Sequence, residues 1–106
     1  MSEATGRQDG DGAAAAPPLV REFPIVNKRG LHARASAKFV QCVERFDAAV
    51  TVSRGGETVD GTSIMGIMTL AAARGTVITV AAEGRDAAPA LEALAALVAS
   101  RFGEDE

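Results

Sequence analysis

The segment Asn27–Phe39, NKRGLHARASAKF, marks the point where a strand-like pattern gives way to a helical one. Before it, residues Val20–Val26 are predicted to form a strand with Phe23 and Ile25 on one face. After it, apolar residues recur at steps of three and four, which predicts a helix from about Ala33 to Phe46. A strand followed directly by an amphipathic helix therefore begins the predicted fold.

The rest of the chain continues to alternate between strands and helices. Gly55-Gly56 predicts a hairpin turn, because such turns need positive φ angles. Asp86 is a suitable N-cap for the last helix, and Pro89 falls in its first turn. The further predicted elements are strands at Ala49–Ser53, Glu57–Asp60 and Thr76–Ala82, a helix from about Ser63 to Ala72, and a last helix whose apolar side is Leu91, Leu94, Ala95, Val98 and Phe102.

The resulting order, β-α-β-β-α-β-α, predicts an α+β domain in which three helices cover one face of a four-stranded antiparallel sheet. Pro24 cannot donate a hydrogen bond to a neighbouring strand, so its strand should lie at the sheet edge. Residues 76–82 are the most β-branched run in the chain, so they should form a central strand. We expect the domain to span residues 20–103, with a disordered tail over residues 1–19 and an acidic end at 104–106.

The composition fits a small cytoplasmic protein. Apolar residues make up 47% of the 106 residues, and Cys42 is the only cysteine, so no intrachain disulfide can form. Cys42 borders the apolar stripe of the first helix, which indicates a buried residue rather than a nucleophile. The chain lacks an apolar run of the roughly 20 residues that a membrane-spanning helix needs, and its acidic start is unlike a secretory signal.

Positive charge is concentrated around the only histidine, His32. The formal net charge is −3, yet four basic residues lie within a few positions of His32, namely Lys28, Arg29, Arg34 and Lys38. Surfaces that bind nucleic acid often interleave aromatic residues with basic ones, and this basic group has none, so we expect no nucleic-acid partner. A single phosphate group or an acidic protein surface is a partner of better matched size.

His32 stands at the predicted start of a helix, where unpaired N–H groups and the helix dipole favour negative charge. A neutral imidazole is a competent nucleophile near pH 7, and Arg34 could hold phosphate oxygens through its planar guanidinium group. The alternative is that His32 is a partly exposed capping or packing residue, which is the commoner role of a lone histidine at such a place. The residues alone leave both possibilities open.

The segment GLHARASAKF resembles the active-site segment of the HPr phosphocarriers of the phosphoenolpyruvate-dependent phosphotransferase system. This resemblance implies an open-faced β-sandwich fold of the HPr type. It also implies that His32 accepts a phosphoryl group, forming pros-phosphohistidine, and that Arg34 supports the phosphate. The implied partners are enzyme I as donor and an EIIA-type protein as acceptor, with the protein acting as a monomeric phosphoryl relay rather than as an enzyme on a small molecule.

A second segment, Val59–Ala72, resembles the regulatory region of the same family. The resemblance implies that Ser63 is phosphorylated by a kinase of the HPr kinase/phosphorylase type, and that Ile64 and Met65 contribute to partner docking. Simpler roles compete with these: Ser63 can be only an N-cap, and Ile64 lies on the apolar stripe of its helix, which favours the core. Met65 lies off that stripe and should be exposed.

One departure from the family pattern concerns the branch of the phosphotransferase system. Many members carry proline after the active-site arginine, where this chain has Ala35 followed by Ser36. This variant resembles the HPr proteins of the nitrogen-related or regulatory branch. The alternative to a phosphocarrier is a non-catalytic regulatory binding module that is switched by phosphorylation.

Other chemistries are poorly supported by the sequence. Residues 61–66 match neither the nucleophile elbow of hydrolases nor a phosphate-binding P-loop. One histidine and one cysteine are too few for a usual zinc site. We therefore expect neither a metal nor a cofactor.

Overall fold

Four antiparallel strands form one sheet in the computed structural model, which describes residues 17–106. Three helices accompany the sheet, and a 3₁₀ turn follows the last of them. In chain order the elements are β1 (Leu19–Pro24), α1 (Ala33–Val43), β2 (Ala49–Arg54), β3 (Glu57–Asp60), α2 (Ile64–Thr69), β4 (Val77–Glu83), α3 (Ala87–Ala99) and the 3₁₀ turn (Arg101–Gly103). The predicted α+β class and element order are confirmed.

The strand order is β1-β4-β2-β3, so β1 is an edge strand and β4 lies between β1 and β2. Both placements were predicted, β1 from Pro24 and β4 from its β-branched residues. Alternate residues of β4, Ile78, Val80 and Ala82, are completely buried, because a strand directs successive side chains to opposite faces. The helices cover this face of the sheet, and the described part of the chain contains no helix long and apolar enough to cross a membrane.

Strands β2 and β3 form the predicted hairpin. Helices α1 and α2, in contrast, end before the last apolar residues that the sequence assigned to them. Helix α1 stops at Val43, and Phe46 packs half-buried against the core from the following turn. Helix α2 ends at Thr69, and the chain bends through Ala71, whose φ is +52°. Leu70 and Ala72, on either side of this bend, are both buried in the core.

The prediction that Ile64 belongs to the core is wrong. Ile64 is 38% exposed, and Met65, which was expected to be exposed, is 70% exposed. The first turn of α2 projects beyond the core, and Ile67 in the second turn is the residue of this helix that is completely buried. Periodicity identified the correct side of the helix but could not show how far the core extends along it.

Two predictions at the ends of α3 need correction. Asp86 occupies the N-cap position, but its side chain makes no capping bond and instead accepts a hydrogen bond from the Asp47 N–H at 2.8 Å. Phe102 is buried as predicted but lies beyond the helix, in the 3₁₀ turn, with a φ of +55°. Pro89 is in the first turn of α3, where its missing N–H is tolerated.

Cys42 is buried, as predicted, and burial raises the pKa of its thiol despite the opposing charge of Arg45. A raised pKa keeps the thiol protonated near neutral pH, so it is a poor nucleophile. The predicted disordered tail falls mostly on residues 1–16, outside the described residues. Leu19, the last residue of that predicted tail, begins β1.

Gly30 lies in the turn before α1, where the backbone passes close to Ala72. Its φ is +65°, and an added Cβ would lie 2.4 Å from the Ala72 carbonyl oxygen. We expect Gly30→Ala to lower the free energy of unfolding by more than about 2 kcal/mol, because positive φ and a backbone clash both oppose the methyl group. Chemical denaturation measures this loss.

Gly55→Ala is the matched control for Gly30→Ala. Gly55 has a φ of +60°, but no atom of residues 17–106 lies within 4 Å of its added Cβ, so this variant should show the backbone cost alone, about 1 kcal/mol. Equal losses in the two variants would mean that the contact with Ala72 is unimportant.

Candidate functional site

His32 is the N-cap residue of α1, in extended conformation with a φ of −74° and a ψ of −178°. Two hydrogen bonds hold the preceding turn: the Leu31 N–H donates to the Ala72 carbonyl at 2.9 Å, and the buried Ser36 hydroxyl donates back to the Leu31 carbonyl at 3.1 Å. Ser36, which departs from the common family pattern, therefore fixes the backbone just before the histidine.

The first turn of α1 carries unpaired N–H donors directly after His32. Within residues 17–106, the N–H groups of Ala33, Arg34 and Ala35 have no hydrogen-bond acceptor, and the first helical bond runs from the Ser36 N–H to the His32 carbonyl at 2.9 Å. The Arg34 side chain is exposed. An anion at this end of the helix would meet free N–H groups and a guanidinium group.

An open cavity of about 460 Å³ lies beside the histidine. Its lining includes the imidazole and all four basic residues that the sequence places around it, namely Lys28, Arg29, Arg34 and Lys38. The structure therefore brings together the two residues predicted for phosphoryl chemistry, His32 and Arg34. The cavity is large enough for a phosphate group, and its lining combines these basic residues with three acidic ones at the chain end, Glu104, Asp105 and Glu106.

The C-terminal end of the chain returns to this cavity. Phe102 is completely buried, and its carbonyl accepts a hydrogen bond from Lys38 Nζ at 2.6 Å. Lys28 binds Glu106 twice, through its backbone N–H at 2.7 Å and through Nζ at 3.0 Å. Two of the four basic residues thus hold the end of the chain, which leaves Arg29 and Arg34 as the more available cations.

Glu104 binds the imidazole of His32 directly. Its Oε2 lies 2.5 Å from Nε2 of the ring, while its Oε1 accepts a hydrogen bond from Asn27 Nδ2 at 3.1 Å. Asn27 is itself completely buried and also donates to the Gly30 carbonyl at 2.8 Å. The carboxylate is therefore held at both oxygens, on one side by the imidazole and on the other by a rigid amide.

The two ring nitrogens of His32 have different surroundings. Nε2 is occupied by Glu104, whereas Nδ1 has no hydrogen-bond partner among the residues that the structure describes. In that same part of the chain, only one side-chain polar atom is both completely buried and without a hydrogen-bond partner, and it is Asn27 Oδ1. Since His32 Nδ1 also has no partner, it is not completely buried and is reached by solvent. The ring is held at one nitrogen and accessible at the other.

The pKa of Glu104 lies below its ordinary value of 4.5. Burial alone would raise it, but the hydrogen bonds from His32 and Asn27, with the positive charges of His32 and Arg29, outweigh that effect. A lowered pKa means that the carboxylate form is favoured by folding. Glu104 is therefore ionised at neutral pH and can only accept hydrogen bonds.

This lowered pKa predicts an acid-sensitive contribution to stability. The contribution should be complete above pH 4.5, the ordinary carboxyl value, and should be lost as the pH falls through the lower value of the folded state. The difference in melting temperature between the wild-type protein and Glu104→Gln, measured against pH, checks this. A difference that is unchanged down to about pH 3 would contradict it.

The other predicted site residues lie on α2, which packs against α1. Ser63 is the N-cap of α2, and its Oγ accepts a hydrogen bond from the Gly66 N–H at 2.9 Å. Ile64 and Met65 follow it with exposed side chains. Sequence reasoning missed Glu104 and Asn27, because nothing in their local pattern indicates that they meet His32 in the fold.

Comparisons with known proteins agree with this architecture. Residues 19–100 match the family described as "PTS HPr component phosphorylation site". A Phosphocarrier protein HPr from Cupriavidus necator is 51% identical over 88 residues, which cover 83% of this chain and 99% of that protein. A Phosphocarrier protein NPr from Shewanella violacea is 40% identical, over 81% of this chain and 94% of its own length.

A solved structure shows the same similarity in three dimensions. The crystal structure of HPr-C-His from Thermoanaerobacter tengcongensis superposes with a TM-score of 0.79 at 41% sequence identity. The match covers 83% of this chain and 99% of that one. Sequence and fold therefore agree over nearly the whole of these relatives.

Proposed function

The chain belongs to the HPr family of phosphocarrier proteins of the phosphotransferase system, and on that basis we propose that Nδ1 of His32 accepts a phosphoryl group and passes it on. The observation that carries this proposal is the solvent-accessible Nδ1 at the start of α1, beside free N–H groups and an open cavity whose lining includes Arg29 and Arg34. Family resemblance supplies the partners: phosphorylated enzyme I as donor and an EIIA-type protein as acceptor.

The surroundings of His32 suit a transient dianion. The helix dipole and the unpaired N–H groups of the first turn favour negative charge, and the exposed Arg34 can add a bidentate contact to phosphate oxygens. A bond between phosphorus and an imidazole nitrogen is labile, which is useful in a relay because the group must leave again. The proposed direction of transfer is from enzyme I to His32 and then to the EIIA-type protein.

The experiment that tests this proposal uses the full chain with enzyme I and radiolabelled phosphoenolpyruvate. We expect an acid-labile label that moves to a purified EIIA-type protein when it is added. The alternative, a regulatory module without relay activity, predicts a label that appears only with a protein kinase and ATP, survives acid and requires Ser63. Finding only that second kind of label would reject the phosphocarrier proposal.

Arg34 provides a prediction that separates support of the phosphate from support of the fold. We expect Arg34→Ala to slow phosphoryl transfer about ten- to a hundredfold, because a positioned donor to the transferred group is lost. The melting temperature should change by less than about 2 °C, since the side chain is exposed. Phosphoryl-transfer assays quenched at a series of times measure the rate, and thermal melts measure the melting temperature.

Arg45→Ala is the matched control for Arg34→Ala. Arg45 is also exposed but follows the other end of α1, which is about 16 Å from His32 at the usual helical rise. Its loss should leave transfer nearly unchanged. Equal losses of rate and stability in Arg34→Ala would mean that Arg34 is a structural residue.

Regulation at Ser63 is a further part of the proposal. Its hydroxyl caps α2 next to Ile64 and Met65, which are 38% and 70% exposed and which we propose contact partner proteins. Phosphorylation would add a charge of nearly −2 beside these apolar side chains and oppose docking of a phosphorylated donor. When a kinase of the HPr kinase/phosphorylase type has phosphorylated Ser63, His32 should therefore accept a phosphoryl group from enzyme I more slowly.

We also propose that the end use lies in the nitrogen-related or regulatory branch, on the basis of Ala35 and Ser36. Overall identity does not favour this branch, because the relative named HPr is 51% identical to this chain and the one named NPr is 40% identical. The proposal therefore rests on Ala35 and Ser36 alone. Transfer to a nitrogen-type EIIA protein faster than to a sugar-type EIIA protein would support it. The opposite preference would assign the chain to sugar uptake.

A further inference from the structure

We propose that Glu104 is a positioning residue for phosphoryl transfer: its carboxylate fixes the proton of the His32 ring on Nε2 and so keeps Nδ1 unprotonated for attack. The inference rests on the proposed role of His32 as phosphoryl acceptor. It concerns a residue beyond the active-site segment and 72 positions away from the histidine.

The first step in the argument is the direction of the hydrogen bond. An ionised carboxylate has no proton to donate, so the proton shared between Glu104 Oε2 and Nε2 of His32 at 2.5 Å belongs to the ring. In a neutral imidazole one nitrogen carries the proton and the other carries the lone pair. With the proton held on Nε2, the lone pair is on Nδ1, the nitrogen that solvent reaches.

The second step is the rigidity of the carboxylate. Asn27, completely buried, donates to Glu104 Oε1 at 3.1 Å and is itself fixed to the Gly30 carbonyl. Phe102 anchors the chain two residues before Glu104, and Lys38 holds the Phe102 carbonyl. The acid is therefore held in place independently of the imidazole that it orients, which is the property required of a positioning residue.

The third step is the balance of charge during transfer. The lone pair on Nδ1 forms the bond to phosphorus while the bond between phosphorus and the leaving atom of the donor protein breaks, and that atom keeps the bonding pair. The proton remains on Nε2, so the ring gains positive charge on the side that faces Glu104. A carboxylate there stabilises the ring as this charge develops, and the reverse sequence applies when the group leaves.

The test measures the ring before any phosphorylation. Nitrogen-15 NMR of histidine-labelled protein, above the pH at which the ring titrates, should show a single tautomer protonated on Nε2. In Glu104→Ala the spectrum should shift toward a mixture of the two tautomers. Glu57→Ala removes an exposed acid of β3 that does not line the cavity, and it should leave the wild-type tautomer.

The second readout is the rate at which enzyme I phosphorylates the same variants. Glu104→Ala should be about tenfold slower than wild type, as expected when a residue that orients a functional histidine is lost, and Glu57→Ala should stay within about twofold. Should Glu104→Ala disturb folding, Glu104→Gln keeps the shape, removes the charge and should also slow transfer.

The outcomes separate this inference from the proposed function. If wild-type protein takes up no label from enzyme I, the phosphocarrier proposal fails whatever the tautomer. If wild type is phosphorylated but Glu104→Ala keeps a single Nε2-protonated tautomer and is phosphorylated as fast as Glu57→Ala, only the positioning role is overturned. Loss of thermal stability in Glu104→Gln without any change in tautomer or rate would make Glu104 merely structural and would also overturn it.

Discussion

His32→Gln is expected to lower acid-labile phosphoryl uptake from enzyme I by more than roughly 10³-fold, the scale of loss when a catalytic nucleophile is removed. Glutamine has no nucleophilic nitrogen, but its amide N–H can still donate to Glu104, so the contact at the end of the chain can be retained. The melting temperature should therefore change little. Radiolabel uptake and a thermal melt on the same preparation measure the two quantities.

Ser63→Ala is the control for this experiment, because Ser63 is the other residue proposed to carry phosphate. It should keep the acid-labile label, although losing the cap of α2 should cost about 1 kcal/mol of stability. Acid-labile label that persists in His32→Gln would place the phosphoryl group on another residue. The proposed function would then be wrong even though the fold is that of the family.

Phe102→Ala is expected to be the most destabilising single substitution among the residues near the site. The ring is completely buried although its backbone φ of +55° is costly for a residue with a side chain, so packing must compensate the strain. Removing a buried phenyl ring costs about 3–5 kcal/mol, against a total stability of about 5–15 kcal/mol for a domain. The melting temperature should fall by more than about 10 °C.

Phe46→Ala serves as the matched control, because Phe46 is half-buried and packs at the edge of the same core. Its loss should be clearly smaller than that of Phe102→Ala in chemical denaturation. Comparable losses would show that Phe102 contributes no more to the core than the half-buried Phe46. The anchoring of Glu104 would then depend on Lys38 and Asn27 instead.

The elements of the fold were predictable from local patterns, and their limits were not. The hairpin at Gly55-Gly56 and the central position of β4 follow from turn chemistry and β-branched residues, which act locally. Ile64 shows where such reasoning fails: its spacing is correct for the apolar side of α2, yet the core ends before it. How far a core extends depends on the neighbouring elements, which a single helical pattern does not contain.

The candidate site was predicted in part, for a related reason. His32 and Arg34 are close in sequence and share a helix start, so their proximity could be inferred from the chain alone. Glu104 reaches the ring because residues 101–103 all have positive φ, two of them without being glycine, and turn the chain back. Arg101 and Phe102 carry no sequence signal for that conformation, so residues 104–106 were interpreted only as an acidic end.

The central claim is tested most directly by NMR of nitrogen-15-labelled protein that enzyme I has phosphorylated with phosphoenolpyruvate. A coupling between phosphorus-31 and nitrogen-15 would identify the bonded atom. We predict one phosphoryl group per chain, bonded to Nδ1 of His32 and lost in acid. A phosphoryl group on Nε2, on Ser63 or on any other residue would contradict the account, as would a chain that enzyme I leaves unphosphorylated.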